Sequence, residues 1–127
     1  MSNSNHNPVG GHWVSAVGSP LYLEVEEGKV TGHFRSTDDP VTVPIHGSIA
    51  MSPTSPNFIP VAFSASWPKT KAYDPAVTSY TGQYSNVNGV EQIEVIFLLE
   101  TQATDTALFK TTQIASDVFM RPKPKDE

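Results

Sequence analysis

Residues 21–30, Leu21-Tyr22-Leu23-Glu24-Val25-Glu26-Glu27-Gly28-Lys29-Val30, decide how the rest of the chain is read. Leu21, Leu23 and Val25 alternate with Tyr22, Glu24 and Glu26, the period of two expected of a strand with one face in a core and the other in water. Glu27-Gly28-Lys29 then turns the chain into a second strand, Val30 to Ser36. The same rhythm continues on both sides. Gly11 to Val17 reads as a strand before it; after it come a loop rich in Asp and Pro, Thr37 to Thr42, and a strand from Val43 to Met51. Ser52-Pro53-Thr54-Ser55-Pro56-Asn57 is turn chemistry. Phe58 to Trp67 follows, with Phe63, Ala65 and Trp67 on one face and Ser64 and Ser66 on the other; Pro60 suits its start or an edge. Lys69 to Ala76 is a longer connection before Val77 to Tyr84, and Asn88-Gly89 is the hairpin signal leading into Val90 to Glu100. A last loop, Thr101 to Leu108, precedes a strand from about Phe109 to Arg121.

Eight strands joined locally, with no helical segment long enough to cross a parallel sheet, predict an all-β antiparallel meander. Closure into an eight-stranded up-and-down barrel removes the two edges that an open meander exposes. An immunoglobulin-like sandwich is the structural alternative, and it needs a long crossover that the sequence does not show. The interior of such a barrel holds its own side chains and one small ligand, which points to binding rather than catalysis. The barrel domain is expected over residues 11–121, between a disordered tail at 1–10 and a charged tail at 122–127.

Composition narrows the function. With 127 residues, 38% of them hydrophobic, the chain has material for one core. Eight Lys plus Arg against 13 Asp plus Glu give a net charge of -5, the wrong sign for neutralising nucleic-acid phosphates, so no nucleic-acid partner is expected. The longest apolar runs, such as Ile93 to Leu99, fall far short of the roughly 20 residues of a membrane-spanning helix, and no membrane partner is expected. Met1 to Gly11 lacks the basic patch and apolar centre of a signal peptide, which leaves localisation open. There are no cysteines, hence no disulfide, thiolate site or thiol nucleophile. His6, His12, His33 and His46 lack metal-ligand spacing, and no metal or cofactor is expected. Ser15 and Ser19 have no histidine on a matching inward position, and Glu94 alternates with inward Val95 and Phe97 and so cannot pair with Asp117 as a glycosidase would require. Enzymatic chemistry has little support.

Seven segments carry a family resemblance, in register from Gly11 to Pro124: Gly11-His12-Trp13 with Gly18-Ser19; Val30-Thr31-Gly32-His33-Phe34; Trp67-Pro68-Lys69; Thr78-Ser79-Tyr80-Thr81-Gly82-Gln83-Tyr84; Phe97-Leu98-Leu99; Phe109-Lys110-Thr111-Thr112; and Asp117-Val118-Phe119. In these the chain resembles the avidin and streptavidin family of biotin-binding proteins. The resemblance implies a non-catalytic barrel that binds biotin as a ligand, not a cofactor, in its open end. It also implies a homo-oligomer, a tetramer more than a dimer, and secretion.

Biotin sets clear demands: donors for the urea oxygen, acceptors for its two N–H groups, apolar walls for the thioether and alkyl chain, and donors for the carboxylate. The resemblance implies that the urea oxygen meets Ser15, Ser19 and Phe34. Ser15 stands where the family has asparagine, and Phe34 where it has a tyrosine hydroxyl. Ser36 and Asp117 match the family's acceptors for the N–H groups, and Thr78 matches the residue at the sulfur. Trp67, Tyr80 and Phe97 form the walls, with Phe109 supplied by a neighbouring subunit; three of these four aromatics stand where tryptophan is usual. Any one of them alone reads as a core aromatic. Trp13 is assigned to the closed end, under Arg121 as a cation–π pair.

At the mouth, Ser36-Thr37-Asp38-Asp39-Pro40 and Ala76 replace the family's donors to the carboxylate, and Pro40 has no N–H to give. With Phe34 lacking a hydroxyl, biotin binding weaker than is typical of the family is expected. Ile96 and Ile114 should face outward at a subunit contact. Two other readings stay open: a related barrel for another small cyclic ligand, and an oligomeric structural protein with a vestigial pocket.

Overall fold

The computed structural model describes residues 7–104 and 111–123. Within them lie eight strands: β1 (Gly11–Val14), β2 (Pro20–Glu26), β3 (Lys29–Arg35), β4 (Thr42–Ile49), β5 (Phe58–Trp67), β6 (Ala76–Val87), β7 (Val90–Thr101) and β8 (Thr112–Met120). Each pairs antiparallel with the next, and β1 returns to β8, so the sheet is a closed up-and-down barrel.

Alternation decides which side chains fill it. On β5, Ile59, Val61, Phe63 and Ala65 are buried while Pro60, Ser64 and Ser66 face out. Inward residues of all eight strands meet in one core, in which Phe34, Phe63, Tyr80 and Phe119 make edge, tilted and stacked ring contacts at centroid distances of 4.9 to 6.2 Å. Gly82 sits inward between Tyr80 and Tyr84, and a Cβ there would stand 1.7 Å from the Glu94 carbonyl oxygen. Only glycine lets β6 and β7 approach this closely.

The connections divide by end. Glu26 pairs with Lys29 and Val87 with Val90, so Glu27-Gly28 and Asn88-Gly89 are two-residue turns with positive φ at both positions, the geometry that matches strand twist. At the opposite end lie the β1–β2, β3–β4 and β5–β6 connections. β1 is shorter than its sequence suggests, ending at Val14. The reason is local: the Ser15 N–H donates to the Ser19 carbonyl (2.9 Å), the Ser19 N–H donates to Ser15 Oγ (3.0 Å), and Gly18 adopts φ 93°, which closes residues 15–19 into a tight loop. β8 runs from Thr112, and Phe109, where the sequence places the start of the strand, lies outside the described residues.

The expected disordered tail at 1–10 is corrected for its last four residues. Val9 is fully buried, and its carbonyl accepts the Trp13 indole N–H at 2.9 Å. Arg121 holds this segment down. Its guanidinium donates to the carbonyls of Pro8 (2.7 Å), Gly10 (3.1 Å) and His12 (3.1 Å), pairs with Glu91 at 3.0 Å, and lies 3.8 Å over the Trp13 ring. Glu91 also accepts the Tyr84 hydroxyl at 2.7 Å. The β1–β8 seam itself contains a single residue pair, Val14 with Met120, so this clasp contributes much of the closure.

The hydrogen bond from Arg121, helped by that from Tyr84, holds the Glu91 carboxyl below the ordinary carboxylate range. Its stabilisation is therefore complete above the unfolded carboxylate pKa and is lost as pH falls through the lowered value. Arg121→Ala should cost about 3 kcal/mol through lost charged hydrogen bonds and the cation–π contact. Glu91→Gln should be destabilising near neutral pH and converge on wild type in acid. Urea denaturation at both pH values checks this, and a Glu91→Gln deficit that does not change with pH would contradict it.

Candidate functional site

The open end holds a cavity of about 290 Å³, near the lower bound of about 300 Å³ for small-molecule pockets and so sized for one compact ligand. Its walls are the inward residues nearest the open end of their strands: Trp67 ends β5, Thr78 and Tyr80 lie near the start of β6, and Phe97 and Leu99 lie toward the end of β7. Ser36 and Val41, at the two ends of the β3–β4 loop, close one side. Five of the residues expected at the site, Ser36, Trp67, Thr78, Tyr80 and Phe97, thus surround one space.

Hydrogen bonds fix these walls. The Trp67 indole N–H donates to Thr78 Oγ1 at 3.0 Å, which sets the plane of the ring. Phe97 lies 5.4 Å from Tyr80 in a tilted ring contact. Burial pushes the Tyr80 phenol up to about 12, with the negative charge of Asp117 adding to the rise and the Thr78 hydrogen bond opposing it. Tyr80 is therefore a neutral, hydrogen-bonding wall at any physiological pH. Asp117 lies across from buried Val95 in the β7–β8 ladder, one inward step beyond Ala115, which lies across from Phe97.

Ser15, Ser19, Phe34 and Asp117 do not line the cavity. Phe34 is buried beneath it, its ring edge-on to Trp67 (5.8 Å) and Tyr80 (5.9 Å). The two serines and Asp117 make a separate polar cluster. Asp117 Oδ1 accepts the N–H groups of Ala16 (3.2 Å) and Val118 (2.7 Å), which ties β8 to the loop of Ser15 and Ser19. Ser15 Oγ accepts the Ser19 N–H, so the Ser15 hydroxyl proton remains available for a further acceptor. The site has an apolar outer cavity and a polar inner cluster, meeting at Tyr80. The fourth expected wall, Phe109, lies outside the described residues.

Sequence reasoning missed several cavity residues. Leu99 follows from the same alternation that identifies Phe97. Pro68, Thr70, Tyr73 and Asp74 come from the long β5–β6 connection, where no periodicity exists to place them. Thr70 organises that connection: its Oγ1 accepts the N–H groups of Ala72 (3.2 Å) and Tyr73 (3.1 Å).

A family model described as the Avidin family matches residues 3–122, so the chain belongs to the avidin family. No curated protein matches the chain.

Tyr84 shares the high phenol pKa of about 12, again chiefly through burial. For an acid whose folded pKa is raised, the stabilisation is complete below the unfolded value of about 10 and is lost as pH rises through the folded one. Spectrophotometric titration should show Tyr80 and Tyr84 ionising only well above pH 10, together with alkaline loss of structure. Tyr80→Phe, which leaves three tyrosines, should remove one of these late tyrosinates; both late ionisations persisting in that variant would show that the buried phenol has been misidentified.

Proposed function

We propose that the protein binds biotin, without reacting with it, in the open end of the barrel. The observation that carries this is the convergence of Trp67, Tyr80, Phe97, Thr78 and Ser36 on one cavity, with Asp117 one inward step along β8 from the position opposite Phe97, in a chain that belongs to the avidin family. The apolar walls suit the thioether ring and alkyl chain. The inner cluster suits the urea: Ser15 and Ser19 can donate to its oxygen, while Ser36 and the second carboxylate oxygen of Asp117 can accept from its N–H groups. Desolvation and fixed hydrogen bonds do the work, and no nucleophile or proton-transfer pair is needed.

Phe34 offers no donor, and each missing neutral hydrogen bond is worth on the order of 1 kcal/mol. Affinity should accordingly be real but below the non-covalent ceiling. Calorimetric titration should show one biotin per chain, Phe34→Tyr should tighten binding by about five- to tenfold, and Asp117→Ala should weaken it. A Phe34→Tyr variant that binds more weakly would remove Phe34 from the urea pocket. No heat with biotin, from a chain that nonetheless forms a stable oligomer, would favour the structural reading.

The assembly we propose is a homo-oligomer, a tetramer before a dimer, formed through the outward face of β7 and β8. Leu98 and Ile114 are direct cross-strand partners with Ile96 beside them, and Ile96 and Ile114 are 62% and 72% exposed in the single chain. Adjacent large apolar side chains at such exposure fit a self-complementary contact with a second copy. In that assembly Phe109 completes a neighbour's pocket. Light scattering at micromolar concentration should report an oligomer, and Ile96→Glu with Ile114→Glu should yield folded monomers; a wild-type monomer would end the proposal.

A further inference from the structure

The cavity has two chemically different halves. Its inner half is aromatic, whereas its rim carries three carboxylates: Asp38 and Asp39 from the β3–β4 loop and Asp74 from the β5–β6 connection. No Lys or Arg is among the described lining residues. Lys69 is paired with Asp74 at 3.6 Å, and both side chains stand in solvent, so this pair neutralises little at the rim; Lys71, between them in sequence, is exposed and is not among the described lining residues.

The loops hold the acidic groups in place. The Tyr73 hydroxyl donates to Asp38 Oδ2 at 3.4 Å and links the two connections across the mouth. Asp39 Oδ2 is shielded from solvent and has no hydrogen-bond partner among the described residues, so none of them offsets the charge on that oxygen. At the neck of the loop the Ser36 N–H is already given to the Val41 carbonyl at 3.0 Å, and Pro40 has no N–H. Among the described residues no three acidic or histidine side chains converge to hold a metal ion. The described part of the rim therefore carries a net negative field over a neutral pocket, the arrangement that repels an anion and favours a neutral or cationic group.

We infer that the mouth selects the charge at the outer end of the ligand: the protein takes a biotin amide, the linkage formed when biotin is joined to a lysine side chain, in preference to the free acid. The inference rests on the biotin reading above. Free biotin fills the apolar half and brings its carboxylate to the acidic rim. The amide carries no charge there and presents an N–H that a rim carboxylate can accept. Its natural partners are then biotinylated proteins or peptides more than the vitamin itself. Because the rim is at the solvent boundary, the preference is modest, up to about tenfold at low ionic strength, and salt erodes it.

Calorimetric titration of biotin and of biotin methyl amide into the full chain, at about 10 mM and about 1 M salt, tests this. The amide should bind more tightly at low salt and the two affinities should converge at high salt. Asp38→Asn with Asp39→Asn should bring the low-salt ratio of amide to acid affinity toward one. The salt dependence of the wild-type ratio tests the same field without any variant. A preference for the free acid at low salt, a ratio indifferent to salt, or a ratio unmoved in a folded double variant would overturn the inference. If neither ligand binds, the biotin assignment itself fails and this selection falls with it; if both bind and the acid is preferred, only the selection fails.

Discussion

Arg121 closes this barrel. An up-and-down sheet of eight strands must join its last strand to its first, and here that seam has one paired position, because β1 is only four residues long. The guanidinium compensates by spreading five donors over three backbone carbonyls and Glu91 while its face covers Trp13. Its planar fork and permanent charge suit it to this role, and lysine could not span the same set. Trp13, held through its indole N–H by Val9 and lying edge-on to Tyr84 at 6.0 Å, then forms the floor on which the rest of the core stacks.

With one end sealed, the other is free to be open. The core thins toward it: Ala115 shares its inward register with Phe97 and Phe119 but is exposed, while Phe119, further along β8, is fully buried. The cavity occupies that thinning. Its walls are the same alternating residues that make the core lower down, and the bond from the Trp67 indole to Thr78 fixes the outermost ring among them. The candidate site is the unfilled top of the hydrophobic core, with carboxylates at its rim and a second polar cluster where β8 and the β1–β2 loop bring Asp117 and the serines together.

How much of this was legible in the sequence follows from how local each cause is. The alternation on β2 and β5 and the glycine turns at Glu27-Gly28 and Asn88-Gly89 are local, and they define a meander whose closed form the structure has. Trp67, Thr78, Tyr80 and Phe97 reach one cavity because the period of two also states which way they point. Val9 was illegible: a lone apolar residue between Pro8 and Gly10 has no period, and its burial depends on Arg121, more than a hundred positions away. The end of β1 at Val14 was hidden for a related reason, since the strand is stopped by a hydroxyl-to-backbone bond between Ser15 and Ser19 that competes with the ladder. Family resemblance supplied Ser15, Ser19 and Asp117, which periodicity alone did not single out, and the structure sets them in a cluster behind the cavity wall and not on its lining.

The two-residue turns and the Pro8–Arg121 contact lie at the sealed end, whereas the connections that form the mouth lie at the other. The two tasks of the fold, staying shut and staying open, are therefore assigned to residues a full strand length apart. A substitution in the clasp can loosen the barrel without altering a side chain at the mouth, and the loops of the mouth can change in sequence without loosening the clasp.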